Sequence, residues 1–246
     1  KLMPDLIPAI AEIFLTIALC VILVIDTFLK QEQRIVTFRL AILALIGAAF
    51  CTVYFGVDGP VTTFNGAYIA DPAGNVLKLF AYLIVGIIFL YSRDYLIREG
   101  LFKGEFFVLG LFGLLGVMVI ISSNNLLIIY LGLELLSLSL YALVAFDRDS
   151  GLAAESAMKY FVLGAIASGA LLYGISLLYG LTGTISINEL SQYFSAIEEV
   201  SLLALLGLAF IIVGIAFKFG AVPFHMWLPD VYQGARTPIT LYVGTA

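Results

Sequence analysis

Seven predominantly apolar runs dominate this chain, at about 6–28, 36–55, 77–93, 105–122, 125–146, 157–181 and 201–222. A helix needs roughly 20 apolar residues to cross the hydrocarbon core of a bilayer. Within that core the backbone must satisfy its own hydrogen bonds, which a helix does inside one segment. The pattern therefore predicts an all-α integral membrane protein, a polytopic helix bundle. An eighth hydrophobic segment begins near Pro238 and is still running at Ala246, so the chain reads as part of a longer polypeptide. The first run is long enough to span and is followed by others, unlike a cleavable signal. Composition agrees, with 62% hydrophobic and 12% charged residues, where soluble domains are near half apolar and a quarter charged.

The loops set an orientation. The first carries Lys30, Arg34 and Arg39, the third Arg93, Arg98 and Lys103, and the fifth Arg148. The second has only Lys78 at its end, and the sixth, GTISINELSQYFSAIEEV, holds Glu189, Glu198 and Glu199 and no base. Basic residues accumulate on the inner side of a membrane, which puts the N-terminus outside and the odd loops inside. The second loop, GVDGPVTTFNGAYIADPAGN, has the composition of a coil or hairpin. The link SSNN between the fourth and fifth runs is so short that those helices must pack antiparallel.

The net charge of −5 comes without basic clusters, which argues against a nucleic-acid partner. Cys20 and Cys51 lie in apolar runs without ligand-like spacing and are expected as buried thiols behaving as small hydrophobes. The sequence has no phosphate-binding glycine loop, dinucleotide fingerprint, CxxC cluster or histidine pair. No cofactor, redox centre or metal is expected in this chain.

Charges at membrane depth are costly and tend to mark function. Lys218 lies in SLLALLGLAFIIVGIAFKFGAVPFHMWLPDVYQG, with no other charge from Ser201 to Phe217. Pro223 follows five residues later and breaks the helix. HMWLPDVYQG can form a second helical piece, so the seventh helix reads as discontinuous over about 202–235. Broken helices free backbone groups to line a cavity and are common at ion sites. Burial disfavours the charged form of a lysine and a nearby carboxylate favours it, so a lysine whose carboxylate partner changes can exchange a proton.

Glu134 is the only charge within the fifth run. At helical spacing Tyr130, Ser137, Leu138 and Tyr141 share its face. It either pairs with a base from another helix or stays protonated, and a purely structural role between helices is the alternative. Lys159 follows Glu155 by four residues, the favourable order for a surface pair. A snorkelling interfacial lysine accounts for it. The Gly-, Ala- and Ser-rich tract after it instead implies a helix inside the bundle, with Lys159 turned inward. His225, the only histidine, either extends a relay from Lys218 or caps the second helical piece. Asp230 is expected as a buried structural or gating partner near Arg236. Glu105 is either a helix N-terminal dipole partner or a contact to a neighbouring subunit. Glu12, in the first helix, is a weaker candidate.

Three stretches, YLGLELLSLSLYALVAF at 130–146, ESAMKYFVLGAIASGALLYGISLLYGLTG at 155–183 and GIAFKFGAVPFHMWLPDVYQGARTPIT at 214–240, resemble one known family. It is that of the antiporter-like membrane subunits of respiratory complex I, the proton-pumping NADH:quinone oxidoreductase. The wording is closest to the N-type branch. The resemblance is strong over 105–246 and rests on hydropathy alone over 1–104.

The resemblance implies an antiporter-like inverted-repeat fold of about fourteen helices with two five-helix repeats. An N-terminal three-helix membrane segment would occupy 1–104 and the first repeat 105–246, its eighth helix truncated. Carried over by motif, Glu134 would pair with the broken-helix lysine Lys218, Lys159 would be the sixth-helix lysine, and His225 would match the histidine after the break. These four would form a proton relay. FMN, iron–sulfur clusters and quinone would belong to other subunits of the parent complex. The expected partners are other complex I membrane subunits, including sister antiporter-like subunits, and the lipid bilayer. The implied location is a bacterial inner membrane or its organellar equivalent. The alternative is a subunit of an Mrp-type cation/proton antiporter, which shares the Glu and Lys scheme.

Overall fold

The computed structural model describes residues 4–197 and 199–245, so Glu198 of the sixth loop and Ala246 lie outside the described residues. The first six spans are α1 (Ile10–Phe28), α2 (Ile35–Tyr54), α3 (Pro72–Arg98), α4 (Gly104–Ile121), α5 (Leu126–Val144) and α6 (Gly151–Thr182). All six are long and apolar enough to cross a membrane. The third starts earlier than its apolar run, because Asp71 caps it and Pro72 sits at its first position, and it continues through the polar RDYLIR to Arg98. Asn125 caps α5 by accepting from the backbone of Leu127 and Ile128 at 2.9 and 3.3 Å. Ser150 caps α6 in the same way, which carries that helix six residues upstream of the expected start.

The sixth loop and the seventh span depart from expectation. The sixth loop, read as a plain connection, contains an amphipathic helix, α7 (Ile187–Ala196), that buries Leu190. The seventh span does not run to residue 222. Its first part, α8 (Leu202–Lys218), stops at Lys218, and a second piece, α9 (Trp227–Gly234), follows. A last described helix, α10, covers Thr237–Thr245. The discontinuity itself is present, as expected. Gly220 takes a left-handed φ of 62°, and Ala221 donates back to the Ala216 carbonyl at 2.8 Å, which winds the chain out of the helix.

The second loop forms the expected hairpin, with β1 (Val61–Thr63) antiparallel to β2 (Tyr68–Ala70). It ties separate segments together at one end of the bundle. Thr63 Oγ1 donates to the Asp5 carbonyl at 2.7 Å and the Tyr68 hydroxyl to the Pro8 carbonyl at 3.0 Å. Ile69 donates to the Ser122 carbonyl at 2.8 Å, and Asn124 to the Ala67 carbonyl at 2.9 Å.

Two kinds of packing hold the helices. Phe38, Phe89, Phe106 and Phe107 bury an aromatic cluster among α2, α3 and α4, with Phe89 and Phe107 edge to face at 5.2 Å. Elsewhere backbones meet directly. A Cβ at Gly116 would lie 2.6 Å from the Gly132 carbonyl oxygen, so α4 and α5 approach there only because both residues are glycine. A Cβ at Gly174 would likewise lie 2.6 Å from the Gly207 carbonyl oxygen of α8. Large apolar side chains such as Ile46, Phe50, Leu83 and Leu90 point outward, as lipid contact requires. The cysteines depart from expectation: Cys20 is exposed on that apolar surface and Cys51 is half-buried.

Candidate functional site

The break leaves Lys218 as the last residue of α8, where its side chain reaches α5. Its Nζ lies 3.2 Å from Glu134 Oε1 and donates to Ser137 Oγ at 2.6 Å. From α6, Ser168 donates its hydroxyl to the same Glu134 oxygen at 2.5 Å. Three helices thus converge on one carboxylate oxygen. The side chains of Lys218 and Glu134 are only 11% and 22% exposed. The ammonium also sits 5.9 Å from the Tyr141 ring centroid, where the negative ring face favours a cation. Of the polar face expected around Glu134, Ser137 and Tyr141 join the site, whereas Leu138 points outward. The Tyr141 hydroxyl is buried without a hydrogen-bond partner among the described residues and fits because Gly164 has no side chain.

A cavity of about 320 Å³ opens beside Lys218, lined by apolar residues including Leu133, Leu136 and Leu140 together with Ser137, Tyr160 and Trp227. Volume of this order is room for several waters. Tyr160 and Trp227 of its lining belong to an aromatic column. Tyr141 meets Tyr160 edge to face at 4.6 Å, and Tyr160 stacks on Trp227 at 4.4 Å with 10° between planes. The Trp227 indole donates to the Phe217 carbonyl at 3.0 Å, a second donor to an oxygen that also accepts from the Gly220 amide at 2.9 Å.

The other expected residues do not join this cluster. Lys159 does not turn inward as the small-residue tract implies; it is half exposed on the outer face of α6. There it bridges Glu155 and Asp230, each at 3.0 Å. Asp230 is not buried against Arg236. It is half exposed, because α9 lays it beside α6, and Arg236 reaches the buried Asp147 at 2.6 Å and Glu99 at 3.8 Å. His225 lies exposed in the break, and its side chain makes no hydrogen bond among the described residues. Glu105, in the first turn of α4, pairs with Arg148 at 2.9 Å.

The most buried ion pair is one the sequence reading passed over. Lys78 Nζ lies 2.5 Å from Glu12 Oε1, with side chains 2% and 9% exposed. The only signal was that Glu12 is the one charge deep in the first run and Lys78 the one base of the second loop. Nothing in the spacing of residues 66 apart joins them. Among the described residues no group of three or more His, Cys, Asp or Glu is placed to hold a metal ion.

Comparison with known proteins gives the same setting. Residues 123–246 match the family described as NADH:quinone oxidoreductase/Mrp antiporter, TM. NADH-quinone oxidoreductase subunit N of Thioalkalivibrio sulfidiphilus is 54% identical over 244 residues, covering 99% of this chain and 51% of that protein. The chain spans about half the length of the curated relatives it matches. In respiratory complex I from Thermus thermophilus, solved with bound aureothin, one chain superposes with a TM-score of 0.77 at 32% identity. That match covers 95% of this chain and 49% of the other. A chain of the membrane-bound sulfane sulfur reductase, an archaeal respiratory membrane complex, gives 0.80 at 26% identity, covering 98% and 51%. With half of its length matched by the family model and its fold shared with respiratory membrane complexes, the chain belongs to the NADH:quinone oxidoreductase/Mrp antiporter transmembrane family.

Proposed function

We propose that this chain is part of a proton-translocating membrane subunit of NADH:quinone oxidoreductase, of the subunit N type, and that Glu134 and Lys218 are its working pair. The observation that carries the reading is the 3.2 Å contact between Lys218 Nζ and Glu134 Oε1 at a helix break beside a cavity. Two unit charges about 4 Å apart attract by ~4 kcal/mol at an effective dielectric of 20. Drawing the carboxylate away removes that attraction, and Lys218 releases its proton to water in the cavity. Restoring the contact reloads it. Such a change is worth up to about three factors of ten in proton occupancy, at 1.36 kcal/mol each. The chain's part in the enzyme is then conformational and electrostatic, and FMN, iron–sulfur and quinone chemistry belongs to other subunits.

In this reading residues 105–246 form the first of two inverted repeats, with the α8–α9 break as its discontinuous helix, and residues 1–104 form an accessory three-helix segment. The basic first, third and fifth loops support an N-terminus on the outer side of a bacterial inner membrane. Lys159, bridged to α9 by Asp230, would bring protons toward the break from the inner side, and the exposed His225 would meet them there. Sister antiporter-like subunits and lipid cover the outward-facing surfaces.

The test uses the complete complex. Lys218→Ala and Glu134→Ala should each lower proton pumping and the coupled quinone reductase rate while the complex still assembles. Normal pumping in both variants would sink the relay, and sodium-dependent transport by the protein alone would favour an Mrp-type antiporter instead.

A further inference from the structure

Glu12 and Lys78 repeat, in a different part of the chain, the arrangement found around Lys218. In both places a lysine meets a carboxylate, at 2.5 Å for Lys78 and 3.2 Å for Lys218. In both, a serine hydroxyl donates to the same carboxylate oxygen, Ser122 to Glu12 at 3.4 Å and Ser168 to Glu134 at 2.5 Å. In both the ammonium lies near a tyrosine ring, 5.5 Å from Tyr68 and 5.9 Å from Tyr141. The Glu12 pair belongs to α1 and α3, outside the segment that the family model matches.

Its surroundings are those of a proton site. Lys78 also donates to the Tyr68 hydroxyl at 3.2 Å, which donates onward to the Pro8 carbonyl at 3.0 Å. Burial first, and then the Glu12 charge, push the Tyr68 phenol above its ordinary value, so it keeps its proton. Tyr82, close to the pair, shares a 3.0 Å hydrogen bond with Thr52. Glu12 Oε2 is buried without a hydrogen-bond partner among the described residues, an acceptor with nothing to accept. Next to Lys78 a cavity of about 10 Å³, walled in part by Thr52, Asn75 and Cys51, has room for about one water. Lys78 stands six residues into α3, about 9 Å from its hairpin end, so exchange with that side is short.

An anchoring role explains the pair less well. The hairpin is already fastened through Thr63, Tyr68, Ile69 and Asn124. A buried ion pair adds little net stability, because desolvating both charges offsets their attraction.

We propose that Glu12 and Lys78 form a second proton-exchanging pair, at the hairpin end of the three-helix segment, with water as its proton donor and acceptor. The N–H bond at Lys78 Nζ breaks as an O–H bond forms at Glu12, turning the ion pair into a neutral amine and carboxylic acid. The carboxyl proton then passes to water, and Lys78 takes a proton from water to restore the charges. One proton is moved per cycle.

The proposal rests on the proton-translocating reading above, and Lys78→Arg in the complete complex tests it separately. Arginine keeps the positive charge beside Glu12 but does not give up its proton in proteins. The expected result is fewer protons pumped per quinone reduced, with normal amounts of assembled complex. Assembly with unchanged pumping overturns the second pair, while the Lys218→Ala result continues to judge the first. If Lys78→Arg does not assemble, infrared difference spectra of the unaltered complex and of Glu12→Asp during turnover decide. A carboxylic acid band that shifts in Glu12→Asp supports exchange at Glu12, and its absence overturns it.

Discussion

The indole of Trp227 donates to the carbonyl of Phe217 at 3.0 Å, so the second half of the broken helix ties down the end of the first, one residue before Lys218. Trp227 is itself stacked on Tyr160 of α6. The position of the Lys218 ammonium therefore depends on a residue nine positions further along the chain.

Trp227→Phe keeps an aromatic ring against Tyr160 but removes the indole donor. The Phe217 carbonyl still accepts from the Gly220 amide at 2.9 Å, so the loss is one hydrogen bond, about 0.5–1.5 kcal/mol. The expected outcome is an assembled complex with a lower unfolding temperature and slower coupled turnover. Thermal unfolding and quinone reductase rate, measured together, check it; an unchanged rate would mean that the break is held by other contacts.

Gly132→Val should prevent assembly. A Cβ at Gly132 already lies 2.8 Å from Ile120 and 2.9 Å from the Gly116 carbonyl oxygen, and the latter is backbone that cannot move aside. Gly169→Ala is the control, since nothing stands within 4 Å of a Cβ there. The amounts of assembled complex in membranes compare the two.

Arg236→Ala should destabilise the protein more than Arg148→Ala. Arg236 is the partner of the buried Asp147 carboxylate, whereas Arg148 and Glu105 are both well exposed. Leaving a buried acceptor unpaired costs about 1–3 kcal/mol, discounted here because water reaches Arg236. An exposed ion pair is worth about 0–1 kcal/mol. Unfolding temperatures of the two variants give the order.

Lys159→Ala and Asp230→Ala should have effects on turnover that are not additive, since the two side chains join α6 to α9 through one 3.0 Å contact. A double-mutant cycle on the coupled quinone reductase rate reads this directly. Additive losses would show that Lys159 acts independently of α9.

How much was legible in the sequence varies with the range of the interaction. Spans, the hairpin and the existence of a break follow from local rules: apolar length, turn composition and the missing amide donor of Pro223. The helix itself already ends at Lys218, where Gly220 turns the chain out. Helix starts were less visible, because Asp71 and Ser150 cap upstream of the apolar runs and extend α3 and α6 beyond them. The amphipathic α7 was hidden because its polar face has the composition of a loop.

Lys218 and Glu134 could be singled out from sequence because an isolated charge in an apolar run is costly whatever surrounds it. Their meeting across 84 residues, through Ser137 and Ser168, is a product of three helices packing at glycine contacts. Lys159 and Asp230 show the reverse case: their chemistry was visible, but the placement of α9 beside α6 made them partners on the outer face. Glu12 and Lys78 show it most sharply, since nothing in the sequence around either residue points to the other. Local sequence encodes hydrophobicity, caps and breaks, which act over a few residues. Which charge neutralises which is decided by packing, where desolvation makes every buried charge depend on whatever partner the fold brings within about 3 Å.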